Sequence, residues 1–148
     1  MEIRKINKND PLIETLIKLS VDWANENNTE GYVSNTRDTF KNMQIYVALI
    51  NNEVIGYLYG YFSKTSKNNS VQKINDRIFE IEELYIIPKY RNMGYGKQLY
   101  SYVEKDIKDN IDYILLSTAT KDYKRILHFY IDELDMTFWN ARLYKRSK

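Results

Sequence analysis

The sequence predicts an α/β (α+β) fold: a mixed sheet of six to seven strands flanked by about four helices. Three observations predict it. The pair Asn51-Asn52 is a tight-turn signal between two β-rich runs, 45–50 and 54–62, which together form an antiparallel hairpin. From residue 78 onward strand and helix patterns alternate, and that requires at least one parallel crossover. Amphipathic helical patterns stand on both sides of the hairpin in sequence, so both faces of the sheet have a cover.

Each element has a local cause. Residues 3–6 suit a short first strand. Asp10-Pro11 marks a helix start, with the acid at the cap and the proline at the first position. Leu12, Leu16, Leu19 and Trp23 follow at helical spacing. The polar stretch 25–31 breaks that pattern, and 34–43 suits a second, short helix. After the hairpin, residues 63–76 are rich in lysine and asparagine and read as a mobile surface loop. Residues 78–87 form a long strand closed by Pro88. From 94 to 108, Leu99, Val103 and Ile107 share one helical face. Residues 113–117 suit a short strand, 122–131 a helix with Ile126, Phe129 and Tyr130, and 138–144 a last strand.

The chain has 148 residues, which fits one domain over 1–148 with a core and a cleft. It has no cysteine and one histidine. A disulfide framework and a cysteine nucleophile are excluded, and no metal is expected. No Gly-x-Ser-x-Gly elbow precedes His128, which argues against a serine triad. The net charge is +2, with acids and bases interleaved, so no basic stripe for nucleic acid is present. No apolar run is long enough for a bilayer and Met1-Glu2-Ile3-Arg4 is not a signal region. The expectation is a cytoplasmic protein without nucleic-acid or membrane partners. No internal repeat is visible.

The segment 88–97 carries the chemistry. It links a strand to a helix and places Gly94 and Gly96 at the helix entrance, with Arg91 and Lys97 flanking the turn. Glycines there let backbone N–H groups approach an anion, and the helix start adds partial positive charge. This suits a pyrophosphate. The same glycines also suit close packing of helix on strand, and spacing alone leaves both readings open. No Gly-Lys-Ser/Thr ends the run, so it is not a P-loop, and it lacks the first glycine of a dinucleotide fingerprint.

In context the run becomes specific. Arg91-x-x-Gly94-x-Gly96 resembles the Arg/Gln-x-x-Gly-x-Gly/Ala signature of the GNAT superfamily of N-acetyltransferases. Leu84-Tyr85-Ile86-Ile87-Pro88 resembles that family's Leu-x-Val-x-Pro strand end, and Phe129-Tyr130 its Phe-Tyr pair. The segment Ile81-Glu82-Glu83-Leu84-Tyr85-Ile86 is similar to the Leu-Glu-Asp-Phe-Phe-Val of polyamine (spermidine/spermine-type) acetyltransferases, and the run 139–145 to their Trp-Arg-Leu-Phe-Lys ending.

The resemblance implies acetyl-CoA as co-substrate and direct transfer of the acetyl group to an amine. It implies a bulged strand that splays from the next, with the backbone of Leu84, Tyr85 and Ile86 receiving the pantetheine arm. It implies a pyrophosphate held by Arg91, Asn92, Met93, Gly94, Tyr95, Gly96 and Lys97, and Tyr130 near the thioester sulfur. The Ile86 N–H would face the thioester oxygen. Tyr123 and Ile126 stand where many members carry an asparagine and a small residue; this departure leaves open whether the Tyr123 hydroxyl takes over the contact of that place.

A primary amine needs help to lose a proton: with a pKa of about 10.4, reaching its neutral form at pH 7 costs about 4–5 kcal/mol. Glu80, Glu82 and Glu83 lie on the strand before the cradle. Two-residue alternation predicts that Glu80 and Glu82 share a face with Leu84 and that Glu83 points the other way. The resemblance makes Glu82 the base in polyamine-type members and Glu80 in histone-type members; a plainly solvated strand face is the alternative. Tyr130 suits a hydrogen bond to the departing thiolate, or a core position.

Other residues carry less. His128 reads as structural or solvated, Trp23 and Trp139 as core or cleft-wall aromatics, and the tail 142–148 as a solvated end. Tyr57, Tyr59 and Tyr61 alternate on one strand face, which suits a half-buried sheet better than an acceptor groove. The expected acceptor is a small-molecule amine: a polyamine, an aminoglycoside or an amino-acid-like compound. Acetylation of a protein N-terminus or lysine and a non-catalytic CoA sensor stay open, as does a homodimer.

Overall fold

The sheet runs in chain order. In a computed structural model describing residues 1–147, β1 (Glu2–Ile6), β2 (Gln44–Ile50), β3 (Glu53–Lys64) and β4 (Arg77–Ile86) are antiparallel neighbours. The fifth strand, β5 (Tyr113–Leu116), pairs with β4 in parallel. Asn51 and Asn52 make the β2–β3 turn, with φ of 49° and 63°, the left-handed pair that a two-residue hairpin demands.

Three helices cover the sheet: α1 (Leu12–Glu26), α2 (Tyr95–Ile107) and α3 (Tyr123–Leu127), the last opening into a wide turn over His128–Glu133. Asp10 caps α1 as its sequence predicts, its carboxylate accepting the Leu12 N–H at 2.9 Å. Alternation along the strands sorts the core into two layers. Ile13, Leu16 and Leu19 of α1 pack with Val47, Tyr57, Tyr59 and Tyr85. Leu99, Val103 and Ile107 of α2 pack with Tyr46, Leu58, Phe79 and Ile81 on the other face. Among the described residues no helix is long and apolar enough to cross a membrane.

Two expectations are corrected. The sheet has five strands, not six to seven, because residues 138–144 form none. The apolar–polar alternation from Trp139 to Leu143 imitates a strand, but no ladder joins the run to an edge, and Leu143 stays 95 % exposed. Residues 34–43 contain one 3-10 turn, Arg37–Phe40, instead of a helix, with Phe40 as its buried anchor; the α-helices among the described residues therefore number three. The segment after β3 is a loop, as expected, without helix or strand between Lys64 and Arg77, and it is internally tied. Asn69 accepts the N–H groups of Val71 and Gln72, and Asp76 that of Lys73, because Asn and Asp bond their own backbone readily.

Candidate active site

One extra residue in β4 creates the site. Tyr59 pairs with Glu83, but Gly60 pairs with Ile81, so Glu82 is left over as a β-bulge. Gly60 makes room for it: a Cβ there would stand 2.2 Å from the Glu80 carbonyl oxygen. The bulge resets the alternation and overturns the predicted facing of the glutamates. Leu84 packs with Ile81 on the α2 side. Glu83 lies on the α1 side, where Tyr57 donates to it at 2.7 Å. Glu80 shares that side, accepting the hydroxyl of Tyr61, its cross-strand partner, at 2.8 Å.

Beyond the bulge β4 and β5 part. Their ladder ends at Ile81↔Leu116. The Ile87 N–H bonds to the Ile55 carbonyl at 2.9 Å, and Ile86 and Leu84 lie opposite Gly56 and Leu58. Antiparallel ladders alternate, so the backbone groups of Leu84 and Ile86 point away from β3, into the gap. The Ile86 carbonyl accepts Arg91 Nε at 2.7 Å; its N–H faces the opening. A cavity of about 720 Å³ occupies this gap and reaches both sides of the sheet.

On the α2 side the cavity meets the cradle. Asn92 and Gly94 take left-handed φ of 61° and 78°. The first bond of α2 is Gln98 N–H to the Gly94 carbonyl, so the N–H groups of Tyr95, Gly96 and Lys97 have no acceptor within the helix. Gly96 serves packing as well, since a Cβ there would touch the Phe129 ring at 3.4 Å. Arg91 is not aimed at the cradle. Its guanidinium makes two 2.7 Å bonds to Glu26 and lies over the Tyr85 ring at 5.3 Å. Burial works to raise the Glu26 pKa, but the hydrogen bonds from Arg91 and Tyr85 outweigh it and hold the carboxyl below its usual range.

Most of the predicted cofactor set lines the cavity: Leu84, Tyr85, Ile86, Arg91, Asn92, Gly94, Gly96, Lys97 and Tyr130. Three residues do not. Met93 is exposed, and Tyr95 packs edge-on against Tyr90. Tyr123 is 56 % exposed and does not line the cavity, while Ile126 and Arg125 do. Burial pushes the Tyr130 phenol up to about 12. His128 sits on the rim, its Nδ1 2.6 Å from Asp132.

On the α1 side the wall is made by Trp23, the segment 28–33, Glu82 and Glu83; Glu80 does not line it. Glu82 has a raised pKa, first from partial burial and then from the charge of Glu80. Glu83, only 8 % exposed, is raised chiefly by burial, against the pull of hydrogen bonds from Tyr57 and Asn35. Trp23 stacks between Tyr32 and Tyr85, at 4.5 and 5.3 Å. The segment after α1 is strapped to the one after β5: Glu30 N–H to the Ala119 carbonyl at 2.9 Å, Lys121 N–H to that of Asn28 at 2.8 Å. Asn28 in turn donates to Glu26 at 2.9 Å.

Glu26, Asn28, Tyr32 and Gly60 were not marked by the sequence reading. Only Gly60 had a usable local signal, since a glycine inside an aromatic strand marks a bulge.

Comparison with known proteins agrees with this architecture. The acetyltransferase (GNAT) family matches residues 13–134. No curated protein sequence matches the chain. Among solved structures, an aminoglycoside acetyltransferase from an uncultured soil metagenomic sample is 17 % identical with a TM-score of 0.72, covering 99 % of this chain and 98 % of that one. The aminoglycoside 6'-N-acetyltransferase of Acinetobacter haemolyticus is 14 % identical with a TM-score of 0.68, covering 100 % and 99 %. The ribosomal-protein-alanine N-acetyltransferase of Brucella melitensis biovar Abortus 2308 is 12 % identical, also at 0.68, covering 99 % and 100 %. At such identities the likeness establishes a shared fold.

Proposed function

The chain belongs to the acetyltransferase (GNAT) family, and from that premise we propose that it moves an acetyl group from acetyl-CoA to a primary amine of a small molecule. The observation that carries this reading is the gap between β4 and β5: inward-facing backbone groups at Leu84 and Ile86, a helix start on one side, carboxylates on the other.

The residues present suit acetyl-CoA. The unpaired N–H groups at 95–97, with left-handed Asn92 and Gly94 and the Lys97 ammonium, suit its pyrophosphate. The free edge at Leu84 and Ile86 suits an extended amide-bearing arm, added like a strand. When bound, acetyl-CoA supplies an activated thioester.

The chain's own groups do the rest. The Ile86 N–H is preorganised to donate to the thioester oxygen as charge develops there. Glu82 takes the amine's proton. An ordinary glutamate, with pKa about 4.3, is some six units too weak to deprotonate a free ammonium. Burial and Glu80 narrow that difference, and nitrogen becomes far more acidic as its bond to carbon forms. Tyr130 donates a hydrogen bond to the departing sulfur; its raised pKa favours donation over full proton transfer. Holding amine and thioester together supplies most of the remaining acceleration.

The enclosed α1-side wall, strapped by Asn28 and Glu30, supports a small acceptor over an extended peptide. Polyamines, aminoglycosides and amino-acid-like amines are the candidates. A thiol-release assay with acetyl-CoA against panels of these amines and of peptides tests the reading. Release is expected with small amines; release with peptides alone would replace the acceptor, and no release with any amine would remove the activity.

A further inference from the structure

The α1-side wall holds a carboxylate whose hydrogen bonding is incomplete. Glu83 is 8 % exposed and lines the cavity. Its Oε2 accepts from the Tyr57 hydroxyl at 2.7 Å and from Asn35 Nδ2 at 2.8 Å. Among the described residues no hydrogen bond reaches Oε1. Beside it lies the Tyr32 hydroxyl, buried, close to Glu83 and outside hydrogen-bonding geometry with it.

Two buried groups with open valences in one wall call for a ligand that completes both. A carboxylate oxygen only accepts, so the missing partner of Glu83 Oε1 is a donor; the Tyr32 hydroxyl both donates and accepts, and its oxygen can take a second N–H from the same donor. An ammonium supplies several N–H groups together with the positive charge that a buried carboxylate lacks. The Tyr32 and Trp23 rings, in contact at 4.5 Å and tilted by 30°, add aromatic surface to the same wall. The surroundings agree in sign: the wall segments 23–33 and 81–86 contribute Glu30, Glu82 and Glu83 to the lining and no lysine or arginine. An acceptor with a free carboxylate at this point would meet like charge.

We infer that Glu83 and Tyr32 form a subsite for a second ammonium of the acceptor, next to the reacting amine at Glu82, so that the enzyme prefers amines with two or more cationic groups. This rests on the amine-acetyltransferase reading above. Glu83 is here a specificity residue and not the base.

The test compares putrescine with butylamine, which share a carbon chain and differ by one ammonium, using the full-length protein and acetyl-CoA. The kcat/KM for putrescine should exceed that for butylamine by at least about tenfold. In Glu83→Gln and in Tyr32→Phe the ratio should fall to near one, through the putrescine KM. Tyr32→Phe keeps the ring stack and guards against a misfolded Glu83→Gln. Equal kcat/KM for the two amines in the wild type, or variants that keep the ratio, would overturn the subsite while leaving acetyl transfer standing. Should no amine be acetylated, calorimetry of putrescine with the CoA-bound protein still decides: binding that both variants abolish supports the subsite, and its absence in the wild type removes it.

Discussion

The two ends of the β4–β5 pair are built from the same strands and behave in opposite ways. At the closed end, Ile78 to Ile81 pair with Tyr113 to Leu116. Arg77 clips that end to Asp112 through its N–H at 2.8 Å and its guanidinium at 2.9 Å, and the Asp112 N–H returns to the Arg77 carbonyl at 2.7 Å. At the open end the backbone is turned toward an empty strand position. Every backbone group bonded at the closed end is lost to chemistry; those withheld at the open end are available to a ligand. One residue, Glu82, separates the two regimes.

The largest break comes from removing the bulge. Gly60→Val drives a branched side chain into the Glu80 carbonyl, and overpacking of this kind costs about 3 kcal/mol. Calorimetry should show Tm lowered by roughly 6–12 °C, with thiol release falling in parallel. An unchanged Tm would mean that the bulge does not need its glycine.

The next effect lies at the bulge itself. Glu82→Gln should lower kcat/KM about 100-fold and leave the acetyl-CoA KM in place. On the proposed reading Glu82 takes the proton as a carboxylate, and burial with Glu80 raises its pKa. Wild-type activity should therefore fall as pH drops through a value above the ordinary glutamate range, and the variant should lose that limb. A pH profile of the same shape in both proteins would remove Glu82 as the base.

The smallest effect is expected at the closed end. Asp112→Asn loosens the Arg77 clip at the surface, where ion pairs are weak, and should lower Tm slightly with kcat within about twofold. Arg77 holds the Asp112 carboxyl down to about 2. Since the folded value is depressed, the clip stabilises fully above the ordinary aspartate range and is lost as pH falls toward that value. The Tm difference between variant and wild type should close in the same window. A kcat loss comparable to that of Glu82→Gln would show that the two ends are not independent.

What was legible in the sequence was local. The Asn51-Asn52 turn, the Asp10 cap and the glycine-rich entry to α2 each depend on a few consecutive residues. The glutamate facing was misread because it depends on Gly60, which lies across the ladder. Arg91 announced itself as an anion ligand, but its partner Glu26 lies 65 residues away, and no local rule connects them. The run 138–144 had the pattern of a strand without an edge to join, and pattern cannot supply the partner.

The strap between Asn28 and Lys121 has a consequence for turnover. Through Glu26 it reaches Arg91 and Tyr85 at β4, and through Thr29 and Thr120 it grips the chain beyond β5. Neighbouring strands sit about 4.8 Å apart, and room for an inserted arm needs twice that. The strap acts as a spacer that keeps the strands from zipping shut between cycles. Held at this spacing, the gap is wide enough for an extended arm before any arm arrives.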